Sequence, residues 1–143
     1  MNLSKNTKVT QVLGYFTAAQ TTRDSSILDM DGYEGVVFIA LFGTLLENGT
    51  IKLSADQNTA NSASGMAELA GSSAYTVLAA DVLGSALVLD VYRPEERYVR
   101  ASIDIGVSNA LICGIVAIQY CAGVAPPTTG ALQATTLISP AEA

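Results

Sequence analysis

The chain has 143 residues, half of them hydrophobic and only 14% charged, with 13 acidic against 7 basic residues and a net charge of −6. That length suggests one domain able to bury a core without metal or disulfide staples. So little charge, against about a quarter in an ordinary soluble chain, describes either a membrane protein or a soluble subunit that hides surface against partners; the acidic balance speaks against a nucleic-acid binder.

The start, MNLSKNTKVT, is polar and lacks the apolar stretch of a secretory leader. Residues 1–10 read as an N-terminal arm, 11–123 as a β-sandwich domain and 124–143 as a tail. Helix signals are weak throughout. KVTQVLGYFTA (8–18) is β-branched and aromatic, with Gly14 as a candidate bulge. SSILDM (25–30) reads as a short edge strand. YEGVVFIALFGTLL (33–46) is apolar enough for a central strand covered on both faces. ENGT (47–50) follows, and Asn-Gly between apolar runs predicts a type I′ hairpin.

TIKLSADQ (50–57) alternates, Ile51, Leu53 and Ala55 on one face and Lys52, Ser54 and Asp56 on the other. Residues 58–74 read as a long surface loop with a short apolar piece, 66–69. YTVLAAD (75–81) resumes an extended run. GSALVLDVYR (84–93) and ERYVRASIDI (96–105) are strong strands, and LICGIVAIQYCA (111–122) is the last. The apolar run 110–125 contains Gln119, lacks basic anchors and is short for a membrane span, so it reads as a strand. The whole predicts an all-β, single-domain, jelly-roll-like sandwich of about seven or eight strands with extended terminal segments. The tail holds three of the four prolines and the apolar residues Leu132, Leu137 and Ile138; it reads either as disordered or as lying on a neighbouring subunit.

Chemistry is sparse. With no His in the chain, Ser-His-Asp, Cys-His and His-metal arrangements are excluded. DMDG (29–32) lacks the ligand run of a calcium loop and reads as a polar turn; no GxGxxG or GK[ST] phosphate loop is present. The NGT sequon at Asn48 reads as turn chemistry. Cys113 and Cys121 read as two buried or half-buried thiols in a reducing cytoplasm. No catalytic residue, cofactor or metal is assigned, and an enzyme is not expected.

Seven of the twenty charged residues fall in LDVYRPEERYVRASIDI (89–105): Asp90, Arg93, Glu95, Glu96, Arg97, Arg100 and Asp104. Pro94 suits a corner. The arginines are placed to pair with Glu95, Glu96, Asp90 or Asp104, within the chain or on a neighbour. The turn reads as a solvated hairpin, an assembly contact or, least, a ligand site; for a contact to another subunit, Arg93, Glu95, Glu96, Arg97 and Arg100 are the candidates.

The runs LVLDVYRPEERYVRASI and NALICGIVAIQY, with MDGYEGVVFIALFGTL and MAELAGS, resemble small all-β proteins encoded beside the major capsid gene of tailed bacteriophages. The resemblance lies in a D-x-x-G-(Y/F)-(E/D)-G element at Asp29, Gly32, Tyr33, Glu34 and Gly35, and a V-Y-R-P-x-x-R-Y-V-R element at Val91–Arg100; it covers roughly residues 1–125. It implies a head decoration, or cement, protein: a sandwich on the outside of the virion capsid, made in the bacterial cytoplasm, commonly a homotrimer, with the major capsid protein as partner and no nucleic acid or membrane. The tail from Pro126 exceeds the family's usual length. A head–tail connector or tail subunit is the alternative, and a carbohydrate-binding attachment module a weaker one, since the chain has no Trp.

Overall fold

The alternating segments 50–57 and 96–105 meet each other at the centre of one sheet. In the computed structural model, which describes residues 2–124 and 127–136, they form β6 (Thr50–Asn58) and β10 (Tyr98–Gly106). The two pair antiparallel without a break from Tyr98↔Asn58 to Gly106↔Thr50. Opposed residues share a face, so Ile51, Leu53 and Ala55 line up with Ile105, Ile103 and Ala101. All six are buried.

Around this pair lie β3 (Thr22–Asp24) and β4 (Leu28–Asp29) on the β10 side, and β7 (Ala67–Glu68) and β8 (Ser73–Thr76) on the β6 side. The second sheet runs β1 (Lys8–Leu13), β11 (Ala110–Tyr120), β5 (Gly35–Phe42), β9 (Ala86–Tyr92), and β2 (Phe16–Ala19) also pairs with β11. All ladders are antiparallel. The core between the sheets joins Val36, Phe38, Ile112 and Ile115 of the second sheet to Leu53, Val99 and Ile103 of the first. Helix is confined to α1 (Leu3–Asn6) and a 3-10 turn at Ala79–Asp81; no described helix is long and apolar enough to cross a membrane.

The all-β sandwich expected from the sequence is present, with eleven strands among the described residues rather than seven or eight. The surplus comes from pieces of two to four residues, such as β4 and β7, too short to carry a periodic signal. The run 8–18, expected as one strand with a bulge at Gly14, is instead split into β1 and β2 at Gly14–Tyr15, and the register irregularity falls at Gln11–Leu13.

Three local expectations are corrected. The Asn-Gly turn is no hairpin: β5 and β6 belong to different sheets, and Asn48 takes a positive φ of 64° while Gly49 does not. The RPEER turn likewise carries the chain from one sheet to the other, since β9 and β10 are not paired. β5 is central, but among the described residues only one of its faces is covered by a second layer: Val36, Phe38 and Ala40 are fully buried, while Leu41 on the opposite face is 41% exposed.

The described parts of the N-terminal segment and the tail lie together, at Asn2 and Thr136. Lys8–Thr10, read as part of an arm, belong to β1. Tail residues follow β1 of the same chain: Gly130 abuts Thr10 and the Val9 carbonyl, and the Thr136 hydroxyl donates to Asn2 Oδ1 at 3.3 Å. Leu132 is fully exposed; Leu137 and Ile138, the other apolar residues noted in the tail, lie outside the described residues.

Phe38 fills the core with no solvent exposure, so Phe38→Ala is expected to lower unfolding free energy by about 3–5 kcal/mol. Leu83→Ala, at a residue 94% exposed, should change it by less than about 0.5 kcal/mol. Urea denaturation of the two variants checks the pair.

Candidate functional site

Proline and a positive backbone angle shape the charged turn. Arg93 takes φ of 53° just before Pro94, and the Glu95 and Glu96 amides donate to Gln57 Oε1 at 3.1 and 3.3 Å. The turn therefore hangs on β6, whose Gln57 lies directly opposite Val99.

The two downstream arginines turn inward to the chain's own acids. Arg97 forks onto Asp29, Nε to Oδ1 at 2.8 Å and Nη2 to Oδ2 at 2.7 Å, with Asp31 Oδ2 at 3.4 Å. Asp29 also accepts the Asp31 amide at 2.9 Å, which closes the DMDG turn, and its carbonyl accepts from the buried Gln119 side chain at 2.8 Å. The Arg97 hydrogen bonds hold the Asp29 carboxyl below the ordinary range, and burial opposes them. Arg100 lies opposite Asp56 in the β6–β10 ladder and donates to it at 2.8 Å, with Asp24 of β3 at 3.0 Å. The Arg100 and Asp56 side chains are only 16% and 11% exposed.

The pairing expected from the sequence, with Glu95, Glu96, Asp90 or Asp104, is thus replaced. Asp104 accepts from Thr22 and Asp90 from Tyr120. The partners actually used lie 44 and 68 residues away for the hydrogen bonds of Arg100 and Arg97, beyond the reach of local patterning. Reversing either charge is therefore expected to disturb the fold, rather than leave it intact. Arg93 remains half-free, 3.9 Å from Glu34 with its guanidinium over the Tyr92 ring. Glu95 and Glu96 form no ion pair among the described residues. The nearby cleft of about 440 Å3 is lined by Met30–Glu34 and Arg93–Arg97, and both of its arginines are already engaged with Glu34 and with Asp29 and Asp31. No group of three His, Cys, Asp or Glu able to hold a metal occurs among the described residues, and both cysteines are free and exposed, contrary to the buried thiols expected.

The feature the sequence reading missed is the outer face of the second sheet. Aligned rows across it read Val9–Ile118–Val37–Asp90, Gln11–Val116–Ile39–Val88 and Gly114–Leu41–Ala86. Val88 is 55% and Tyr92 57% exposed. Only Asp90 and Gln11 break an otherwise apolar surface, and Asp90 is satisfied by the Tyr120 hydroxyl at 2.7 Å. Burial and the Asp90 carboxylate push Tyr120 above the usual phenol range, which keeps the hydroxyl a donor. Gly35 makes this arrangement possible: a Cβ there would collide with the Tyr120 ring. The recurrent glycine of the D-x-x-G-(Y/F)-(E/D)-G element therefore serves packing.

No family model matches the chain, and no curated protein matches it. Among solved structures, PBSX exported protein XepA is similar over 100% of this chain and 45% of its own, at 18% identity and TM-score 0.51. Dimeric latent PorU from Porphyromonas gingivalis matches 81% of this chain and 13% of its own, at 13% identity and TM-score 0.46. The Eiger TNF from S. frugiperda matches 87% of this chain and 98% of its own, at 8% identity and TM-score 0.44. The chain spans under half the length of XepA and a small part of PorU, and at this identity the XepA likeness is one of fold.

Arg100→Ala strands the part-buried Asp56 and should cost about 2 kcal/mol in urea unfolding; Arg97→Ala, at a half-exposed pair, should cost clearly less. A depressed carboxyl contributes stability that is fully present above its ordinary value of about 4 and is lost as pH falls through the folded value. The deficit of Asp29→Asn against the parent is therefore expected at neutral pH and should shrink below about pH 4, measured as urea midpoints across pH.

Proposed function

We propose that the chain is a non-enzymatic structural subunit of a phage virion, a capsid decoration or cement protein that seats the outer face of its second sheet on the outside of the head. One observation carries the reading: a contiguous apolar face, four strands wide, left without a second layer among the described residues while most of the nearby charges are paired within the chain. A face of this kind marks a protein contact. The sequence resemblance to head decoration proteins supplies the partner, the major capsid protein, and the XepA likeness is compatible in fold alone. Many copies on one shell turn a weak individual contact into firm attachment. Net charge of −6 disfavours DNA on the same surface. Location on the virion and absence of nucleic-acid or membrane partners belong to the same proposal. The resemblance also implies homotrimers, and the mass of the chain in solution decides between that state and others.

The test is co-sedimentation with expanded heads assembled from the capsid gene of the same genome. Saturable binding near one copy per capsid protein, with a raised melting temperature of the heads, is expected. Ile39→Asp places a charge in the middle of the face and should weaken binding at least about tenfold with the protein's own melting little changed. Absence of binding overturns the proposal, and rings or tubes formed by the protein alone would move it to a connector or tail.

A further inference from the structure

A β-sandwich has four sheet edges, and three of them here are closed to strand addition. In the first sheet the edges are β3 and β4 on one side and β7 and β8 on the other, none longer than four residues. Short edge strands are a standard protection against pairing. In the second sheet β1 is flanked by the chain's own tail, with Gly130 packed on Val9 and Thr10. The fourth edge, β9, is different. It runs seven residues, ALVLDVY, pairs only with β5, and contains no Lys, Arg or Pro.

The hydrogen-bonding side of β9 can be read from its neighbour. The Arg93 amide donates to the Glu34 carbonyl and the Phe42 amide to the Ser85 carbonyl. Residues 85 and 93 therefore turn toward β5, and so, by the alternation of an antiparallel ladder, do Leu87, Leu89 and Val91. The amides and carbonyls of Ala86, Val88, Asp90 and Tyr92 point out of the sheet. A groove of about 590 Å3 separates the Leu89–Tyr92 half of this edge from Gln57 and Glu68–Ser72 of the first sheet, so the first sheet's nearest edge does not close over β9.

We infer that β9 pairs with β9 of a second copy, antiparallel about a two-fold axis at Leu89, joining two five-stranded sheets into one. The register follows from the sequence of the strand. Full overlap sets Ala86 against Tyr92 and Val88 against Asp90, with all four outward residues of each copy in hydrogen-bonded positions. A two-residue shift one way opposes the two Asp90 carboxylates, which is unfavourable, and a shift the other way gives up overlap. In the full-overlap register each Asp90 faces Val88 and keeps its bond to Tyr120. The strand is thus complementary to itself, as a two-fold contact requires. The inference does not depend on the virion reading: head binding and β9 pairing are measured separately and can fail separately.

The test is the mass of the full chain in solution by light scattering, with two substitutions at one exposed position. The parent should be a dimer, about twice 14.8 kDa. Val88→Asp opposes two pairs of like charges across the axis and should weaken the dimer about tenfold or more. Val88→Lys opposes Asp90 with a cation and should retain the dimer, with affinity falling as salt rises. Circular dichroism of both variants should match the parent, since residue 88 is exposed. A parent that is monomeric or trimeric overturns the inference. So does a dimer that Val88→Asp leaves unchanged, or one that the two substitutions weaken alike.

Discussion

The β6–β10 register is the constraint on which the remaining structure depends. A strand has a period of two, so a slip of one residue would move Leu53 and Ile103 from the core to the outer face. The inward residues resist that slip through burial and the outward ones through charge: Arg100 stands directly opposite Asp56 and reaches Asp24 on the adjacent strand. Removing water from this cluster only in part leaves its members charged and mutually satisfied. Every other strand of the first sheet is attached to this pair, and the second sheet packs on its inner face.

Strand identity along much of the chain was legible in the sequence, because alternation at 50–57 and 98–105 reports a half-buried strand directly. Pairing was not. β5 to β6, β9 to β10 and β10 to β11 each pass from one sheet to the other, and a turn such as ENGT or RPEER has the same composition whether it closes a hairpin or crosses the core. The partners of Arg97 and Arg100 were invisible for the same reason, lying on strands remote in sequence. The apolar excess of 33–46 was read as double burial; the outward residues Val37, Ile39 and Leu41 instead form the uncovered face. The turn is charged, but two of its three arginines, Arg97 and Arg100, pair with acids of the same chain and brace the fold.

Charge and apolar surface are therefore divided between the two sheets. The first sheet carries Arg100, Asp56, Asp24, Lys52 and Glu68 on its outer side, paired with each other; the second carries valine, isoleucine and tyrosine. On the proposed reading the charged outer side of the first sheet faces water and the apolar outer face of the second meets the partner. Mutual satisfaction of the charges keeps the wet side from competing for the same contact.

The meeting of Thr136 with Asn2 and Ser4 at the β1 edge has a topological consequence. Asn2 and Thr136 are held side by side, so a short linker between these two positions would cost little loop-closure entropy, and the chain could then be opened elsewhere. The largely exposed 59–65 segment between β6 and β7 is a suitable place for the cut, since it contributes no strand to either sheet. The order of strands along the polypeptide is thus separable from their order in the sheets, and a cargo carried on the new ends would leave from the opposite side of the sandwich edge now occupied by the tail.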